Sequence, residues 1–372
     1  MPARFRLGLP RSFNTRASGV RLIRVPMLWS RMRRKDFLRL AVGLLVSGVS
    51  LVLAGRNVSW ADLVASLQHA NPILLIPALA IYCLGIIARS LRWRVLLRDY
   101  GVKLPMLIRT LVIGLMVNDI LPGRLGEIAR IFLLARKAGV PAGASLASIL
   151  IERVLDGIAL TALLALAIAL AGASDWLVQL ALASTGIFAV ATAGIMWAAL
   201  DPVRVGGLAR RIAAFAPNRL EERLDRLINT ALDALAPVRT PGGAARLVGW
   251  SLVAWLLEAG MYLIIMFAFF VPGGLPAALM GTAVANLATL VPSSPGYVGT
   301  FDFALKGVLE GWFGANPGTA AGYTLVVHVM LIVPVVLVGL FFLWQENLSL
   351  PDLGRRPPRD PAPLPVAAHS ER

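Results

Sequence analysis

Six stretches of this chain, residues 37–54, 72–92, 146–171, 177–199, 247–270 and 320–344, are apolar and almost free of charge. Each approaches or exceeds the roughly 20 mostly apolar residues that a helix needs to cross a bilayer. A chain with that many has few architectures open to it, because backbone N–H and C=O groups in lipid must be satisfied within the segment. Composition agrees. The sequence is 58% hydrophobic with a mean hydropathy of +0.74, against roughly 45–50% apolar residues in soluble domains. The first run ends in Val52-Leu53-Ala54, which imitates a signal-peptide cleavage site, but its length and the five runs behind it favour an uncleaved helix.

Two further apolar stretches, 105–122 and 275–291, differ. Both are short, stop at a proline and lead into glycine-bearing links, Leu121-Pro122-Gly123-Arg124-Leu125-Gly126 and Val291-Pro292-Ser293-Ser294-Pro295-Gly296. A charge-bearing helical stretch of about half a span follows each one. Loop charge decides how they are threaded. The tail before residue 37 is strongly basic and reads as cytoplasmic. The 55–71 loop, with Arg56 against Asp62, reads as outside, and Arg89 to Lys103 bring the chain back in. If 105–122 crossed the membrane, Arg124, Arg130, Arg136 and Lys137 would lie outside and every later loop would carry the wrong sign. If it dips in and returns, base-free 172–176 is outside, the eight arginines of 200–246 are inside, and 275–310 must dip from the outer side. The predicted fold is an all-α polytopic membrane protein, with about six spanning helices and two re-entrant helical hairpins arranged as an inverted repeat.

The hairpins share an order of residues: Asn118, Pro122, Gly126 and Glu127 in one; Asn286, Pro292, Gly296, Gly299 and Asp302 in the other. Inverted repeats whose broken helices meet near the midplane are a recurring plan of transporters. The predicted organisation is a basic tail over 1–36 (Met27 and Met32 offer later starts), a membrane domain over 37–346 and a Pro/Arg-rich tail over 347–372. Within the membrane domain, residues 203–243 suit an amphipathic helix lying on the bilayer.

The net charge of +16 does not imply nucleic acid. Only Lys35, Lys103, Lys137 and Lys306 are lysines, and most arginines flank apolar runs, where they suit cytoplasmic anchoring and anionic headgroups. Cys83 stands alone in an apolar run, which excludes a disulfide framework and a cysteine metal site.

Ionisable groups within a membrane cost about 2.5–3.5 kcal/mol each and need a partner or a task. Ser145, Ser148, Glu152 and Asp156 fall on one helix face, with Arg153 three residues from Asp156 and able to neutralise it. Arg109, Arg124 and Arg130 accompany Glu127 in the first hairpin, and the planar guanidinium fork suits phosphate. Arg109, deep in an apolar run, reads as the best substrate contact. Arg89, Arg92, Arg94 and Arg98 read as snorkelling anchors first. Glu258 reads as a lone mid-membrane carboxyl, His328 as a satisfied structural histidine, and Asp302, Lys306 and Glu310 as a mutually paired row. There is no Gly-x-Ser-x-Gly, P-loop, dinucleotide fingerprint or His-Glu-x-x-His, and the expectation is no enzyme, no cofactor and no metal.

Four motifs in order, Arg92-Trp93-x-x-Leu96-Leu97, Asn118-x-x-x-Pro122-x-Arg124-x-Gly126-Glu127-x-x-Arg130, Glu152-Arg153-x-x-Asp156 and Pro292-x-x-Pro295-Gly296-x-x-Gly299-Thr300, resemble the flippase-like membrane region of lysylphosphatidylglycerol synthases and its stand-alone relatives. The resemblance runs from about the first span to the last. It implies movement of a lipid with a charged or glycosylated headgroup between leaflets of a cytoplasmic membrane. The family's best-known members add an aminoacyl-transferring domain; here a proline-rich tail follows the last span, so aminoacylation is not inferred. The expected partners are a membrane phospholipid or polyprenyl-linked lipid and anionic headgroups, with a homo-oligomer or a partner synthase left open. Two other readings stand beside translocation: an accessory subunit of a glycolipid or isoprenoid-lipid synthesis system, and a proton-coupled small-solute carrier using Glu258.

Overall fold

The computed structural model describes residues 34–56, 58–121, 124–214, 221–291 and 293–350. Most of both tails, Pro122, Gly123 and the predicted site residue Pro292 lie outside them. The described residues form helices and connecting turns, with no strand among them. In chain order the helices are α1 (Arg34–Gly55), α2 (Trp60–His69), α3 (Leu75–Leu96), α4 (Leu104–Ile120), α5 (Leu125–Ala138), α6 (Ala142–Ala171), α7 (Asp175–Leu200), α8 (Pro202–Ala213), α9 (Glu221–Asp233), α10 (Ala236–Arg239), α11 (Pro241–Ala268), α12 (Gly274–Ala288), α13 (Thr300–Gly311) and α14 (Pro317–Gln345). By length and composition, α6, α7, α11, α14 and α3 with its preceding turn are long and apolar enough to cross a membrane; α1 and α2, bent by 76° at their junction, make a sixth span if counted together.

Local chemistry sets the boundaries. Thr240 and Asn316 accept hydrogen bonds from the first-turn amides of α11 and α14, each with a proline at the first helical position, where its missing N–H costs nothing. Ser59 and Asp62 form a capping box on α2. Gly139, at φ 64°, closes α5, a conformation that glycine adopts without a Cβ penalty.

Helices α4 and α5 pack on one another as one hairpin, α12 and α13 as the other. They enter from opposite ends of the bundle. The base of the first lies beside the C-terminal end of α14, where Lys137 Nζ meets Glu346 at 2.6 Å. The base of the second runs directly into the N-terminal end of α14, and its Trp312 touches Gly172 at the C-terminal end of α6. The tips meet. Arg124 Nη2 donates to Thr289 O at 2.7 Å, and the backbone of Gly296 lies against Asp119 O.

The contacts also pair by repeat. In each half a long helix (α3 or α11) precedes the hairpin and another (α6 or α14) follows it. The two leading helices make the most extensive contact in the molecule, while α4 packs on α14 and α12 on α6. Each hairpin therefore lies against the other half's trailing helix. The 203–243 segment departs from a single amphipathic helix: it folds as α8, α9 and α10, with Arg210 joined to Asn229 and Asp225 and α9 docked against α6 at Gly143.

Candidate functional site

A continuous buried polar seam links the two hairpins through α3, α6 and α11. At the first hairpin, Arg130 is bound to Glu152, Nη2 to Oε2 at 2.6 Å, while its guanidinium stacks 3.9 Å from the centre of the Trp93 ring. Trp93 Nε1 donates to Ser148 Oγ at 3.0 Å. Next comes Arg92, fully buried, with Nη1 donating to Asp156 Oδ1 at 2.6 Å and to Ser251 Oγ at 3.0 Å. Its Nη2 stands 3.3 Å from Glu152. Trp255 Nε1 also donates to Asp156 Oδ1, at 3.0 Å, and lies under the Arg89 guanidinium. Arg89 pairs with Glu258, whose other oxygen accepts from Asn286 Nδ2 at 2.9 Å in the second hairpin. Apart from the neutral Trp93–Ser148 hydrogen bond, every link is an ionic pair, a charge-assisted hydrogen bond or a cation–π contact, the interactions that make buried charge tolerable.

In this seam four guanidiniums, Arg89, Arg92, Arg130 and Arg153, share three carboxylates, Glu152, Asp156 and Glu258. Arg153 holds the weakest contacts. Its Nη2 is 3.4 Å from Glu152 and 3.6 Å from Asp156, both already bound at 2.6 Å by other arginines. Its side chain is 42% exposed, against 0% for Arg92. Arg153 also lines an apolar cleft of about 450 Å³ between α6, α7 and the chain around α9, with Leu150, Ile151, Val154, Ile195 and Leu232 among its walls.

The structure thus brings Arg130, Glu152, Arg153, Asp156, Glu258 and Asn286 together, with Arg124 where the tips join. Asn118 closes the first hairpin by accepting the Gly126 N–H at 2.7 Å. Glu127 lies in the first turn of α5, its Oε2 buried and without a hydrogen bond among the described residues. Several expectations change. Arg92 is no surface anchor but a core residue, and Arg89 is likewise bound within the seam; Arg94 and Arg98 are exposed. Glu258 is not a lone carboxyl. The row Asp302–Lys306–Glu310 splits: Lys306 pairs with Glu310 at 2.6 Å, whereas Asp302 caps Gly299 N and binds His328. Arg109 stands outside the seam at the base of the first hairpin, 3.4 Å from Glu346 and over the Phe342 ring.

Glu346 is accordingly a clamp between α14 and both arms of the first hairpin. The hydrogen bond from Lys137 holds its carboxyl below the ordinary range; partial burial opposes this, and the charge of Lys137 and the contact with Arg109 add to it. Because the folded-state value is depressed, the stabilisation is complete above the unfolded carboxyl value and is lost as pH falls through the folded one. Glu346→Gln is expected to lower the thermal midpoint in detergent at neutral pH, and the gap should narrow at about pH 3, below the ordinary carboxyl value. An equal gap at both pH values would remove the clamp.

The bundle with opposed hairpins and a charged interior defines a polytopic membrane protein of inverted-repeat type. Residues 40–339 match the family described as the lysylphosphatidylglycerol synthase TM region, and the chain belongs to that family. It is 25% identical over 343 residues to a protein named Glycosyltransferase AglD from Haloferax volcanii, with 84% of this chain and 55% of that protein aligned. It is 22% identical over 311 residues to a UPF0104 membrane protein from Methanothermobacter thermautotrophicus, covering 79% of this chain and 90% of the relative. The chain thus spans about half the length of the first relative and most of the second.

Proposed function

We propose that this chain moves a lipid or lipid-linked substrate with an anionic headgroup between the leaflets of the cytoplasmic membrane. The observation that carries the reading is the position of Arg153: a partly exposed side chain whose guanidinium, held only by long contacts, stands at the wall of an apolar cleft and at the edge of the seam that joins both hairpins. A phosphate would take the two parallel N–H donors of that guanidinium while an acyl or prenyl chain occupied the cleft. Arg124 and Glu127, where the hairpins meet, would be the next groups along the path. The basic loops support a cytoplasmic position for both termini. In this reading the chain is a transporter rather than an enzyme.

The test uses liposomes that contain only this protein, with headgroup-labelled phosphatidylglycerol in one set and a labelled polyprenyl phosphate in another. Wild type should expose inner-leaflet label to an external quencher. Arg153→Met should slow this by about tenfold or more, as expected for loss of a hydrogen bond to a charged group. Arg109→Ala, outside the seam, should not slow it. If wild type moves neither lipid, the reading fails. A second reading, an accessory subunit of a glycolipid-synthesis system, is favoured by the glycosyltransferase name of the Haloferax relative and would then take its place.

A further inference from the structure

His328 lies in α14 at the junction of the two hairpins, and the seam does not include it. Its ring nitrogens both face acceptors. Nδ1 stands 2.8 Å from Asp302 Oδ1, and Nε2 stands 2.8 Å from the backbone oxygen of Gly296. A neutral imidazole carries one N–H, so it can satisfy only one of these oxygens and must turn a lone pair towards the other. An imidazolium has two N–H donors and satisfies both. The Phe301 ring packs against the imidazole, with centroids 4.6 Å apart, and fixes the plane in which the two bonds form.

The three helices that meet here contribute their own charges. Asp302 comes from the second hairpin, and Asp119, at the end of α4, acts electrostatically on His328 from the first. From α3, the neutral Tyr82 donates to Leu331 O at 3.0 Å, one turn along α14. Lys306 is turned away to Glu310 and Arg56 O. The charged groups of α2 are remote; Asp62 packs at Gly318, near the start of α14. From α11, the backbone of Tyr262 accepts from Tyr323 of α14, and Glu258 is taken by Arg89 and Asn286. His328 therefore has two carboxyl groups acting on it, one from each hairpin, with Asp302 in direct contact.

Gly296 connects this pair to the tip itself. Its carbonyl is the Nε2 acceptor, its φ is 67°, and its Cα side lies against Asp119 O. A bond to that carbonyl holds the tip of the second hairpin onto α14 and against the first hairpin.

We propose that His328 is a proton-binding site that latches the two hairpin tips together: the imidazolium ties Gly296 O and Asp302 to α14 and balances Asp119, and loss of the proton releases the tip. When one proton passes to water, the imidazolium becomes a neutral imidazole. One of its two hydrogen bonds is then lost, and Asp302 no longer pairs with a cation. Proton occupancy at this site would thus bias whether the two halves of the repeat are joined. That statement concerns the latch alone, and it holds or fails whatever substrate the molecule moves.

The experiment exploits the small number of histidines, His69, His328 and His369. The full chain is labelled with ¹⁵N-histidine, placed in lipid nanodiscs and read by nuclear magnetic resonance at neutral pH, with His328→Gln identifying the His328 signals. Both nitrogens of His328 should resonate as protonated N–H. In Asp302→Asn, which retains an oxygen to cap Gly299, one nitrogen should move to the unprotonated position. A wild-type ring with one bare nitrogen at neutral pH overturns the proposal. The tip is followed with a spin label on Val298→Cys in a Cys83→Ala background. Its mobility should rise as pH is raised, and His328→Gln should abolish that response. An unchanged spectrum across pH, or a response that survives in His328→Gln, also overturns the latch.

Discussion

Replacing Arg92 by methionine is expected to cost about 3–5 kcal/mol of stability, the range for removing one partner of a buried ion pair. Arg92 is wholly enclosed and supplies the shortest contact to Asp156. Without it, Asp156 keeps only the Trp255 N–H and a long contact to Arg153. Glu152 survives better, because Arg130 still binds it. The loss should therefore be recovered in part by Arg92→Met with Asp156→Asn: the amide keeps an oxygen for Trp255 and no longer leaves an unbalanced charge. Arg153→Met should cost no more than about 1 kcal/mol, since its contacts are long and its side chain is partly exposed. Recovery of monodisperse protein after heating checks the order. An Arg92→Met protein as robust as wild type would show that the seam does not hold the bundle together.

The contrast between Arg92 and Arg153 also shows what a single sequence conceals. The hairpins were legible because their cues are local: an apolar run that stops at a proline, a glycine link, and a loop-charge pattern that fails unless the segment turns back. The common face of Ser145, Ser148, Glu152 and Asp156 was legible for the same reason, since helical spacing carries it. Arg92 was not. Arginines that follow an apolar run usually snorkel to the interface, and its partners lie on α6 and α11, far along the chain. One cue was present. Arg89, Arg92 and Leu96 recur at three- and four-residue steps on a single face of α3, which differs from that of the exposed Arg94. Asp302 misled in the opposite way. Spacing of four suggested Lys306 as its partner, but Asp302 occupies the first turn of α13, where its carboxylate caps Gly299 N and reaches across to His328. Position within an apolar run does not fix position within the bundle: α4 begins only at Leu104, so Arg109 lies in its first turns near the hairpin base.

A single methyl group in the first hairpin should be nearly as damaging as the loss of Arg92. Gly126→Ala would place its Cβ on the carbonyl oxygen of Gly114 and within 2.6 Å of Asn118 Oδ1. The first obstacle is backbone, which cannot swing aside as a flexible side chain can. The second is the oxygen that accepts the Gly126 N–H and closes the hairpin. Gly114 faces the same seam from the other arm, with the Arg130 side chain packed over it, so close approach of two glycines lets α4 and α5 share one narrow re-entrant space. Small residues serve this purpose at membrane helix contacts, where backbones must come near one another. Overpacking costs about 1–3 kcal/mol in general, and this site should reach at least the upper end because relief requires the arms to part. Parting them would draw Arg130 from Glu152 and Trp93, and Arg124 from Thr289, so the proposed lipid movement should fall along with stability. Gly186→Ala, on α7 with nothing close to the new methyl, is the matched control and should stay within about 0.5 kcal/mol of wild type. If both alanine variants behave alike, the two arms are not in the close contact on which the hairpin's geometry depends.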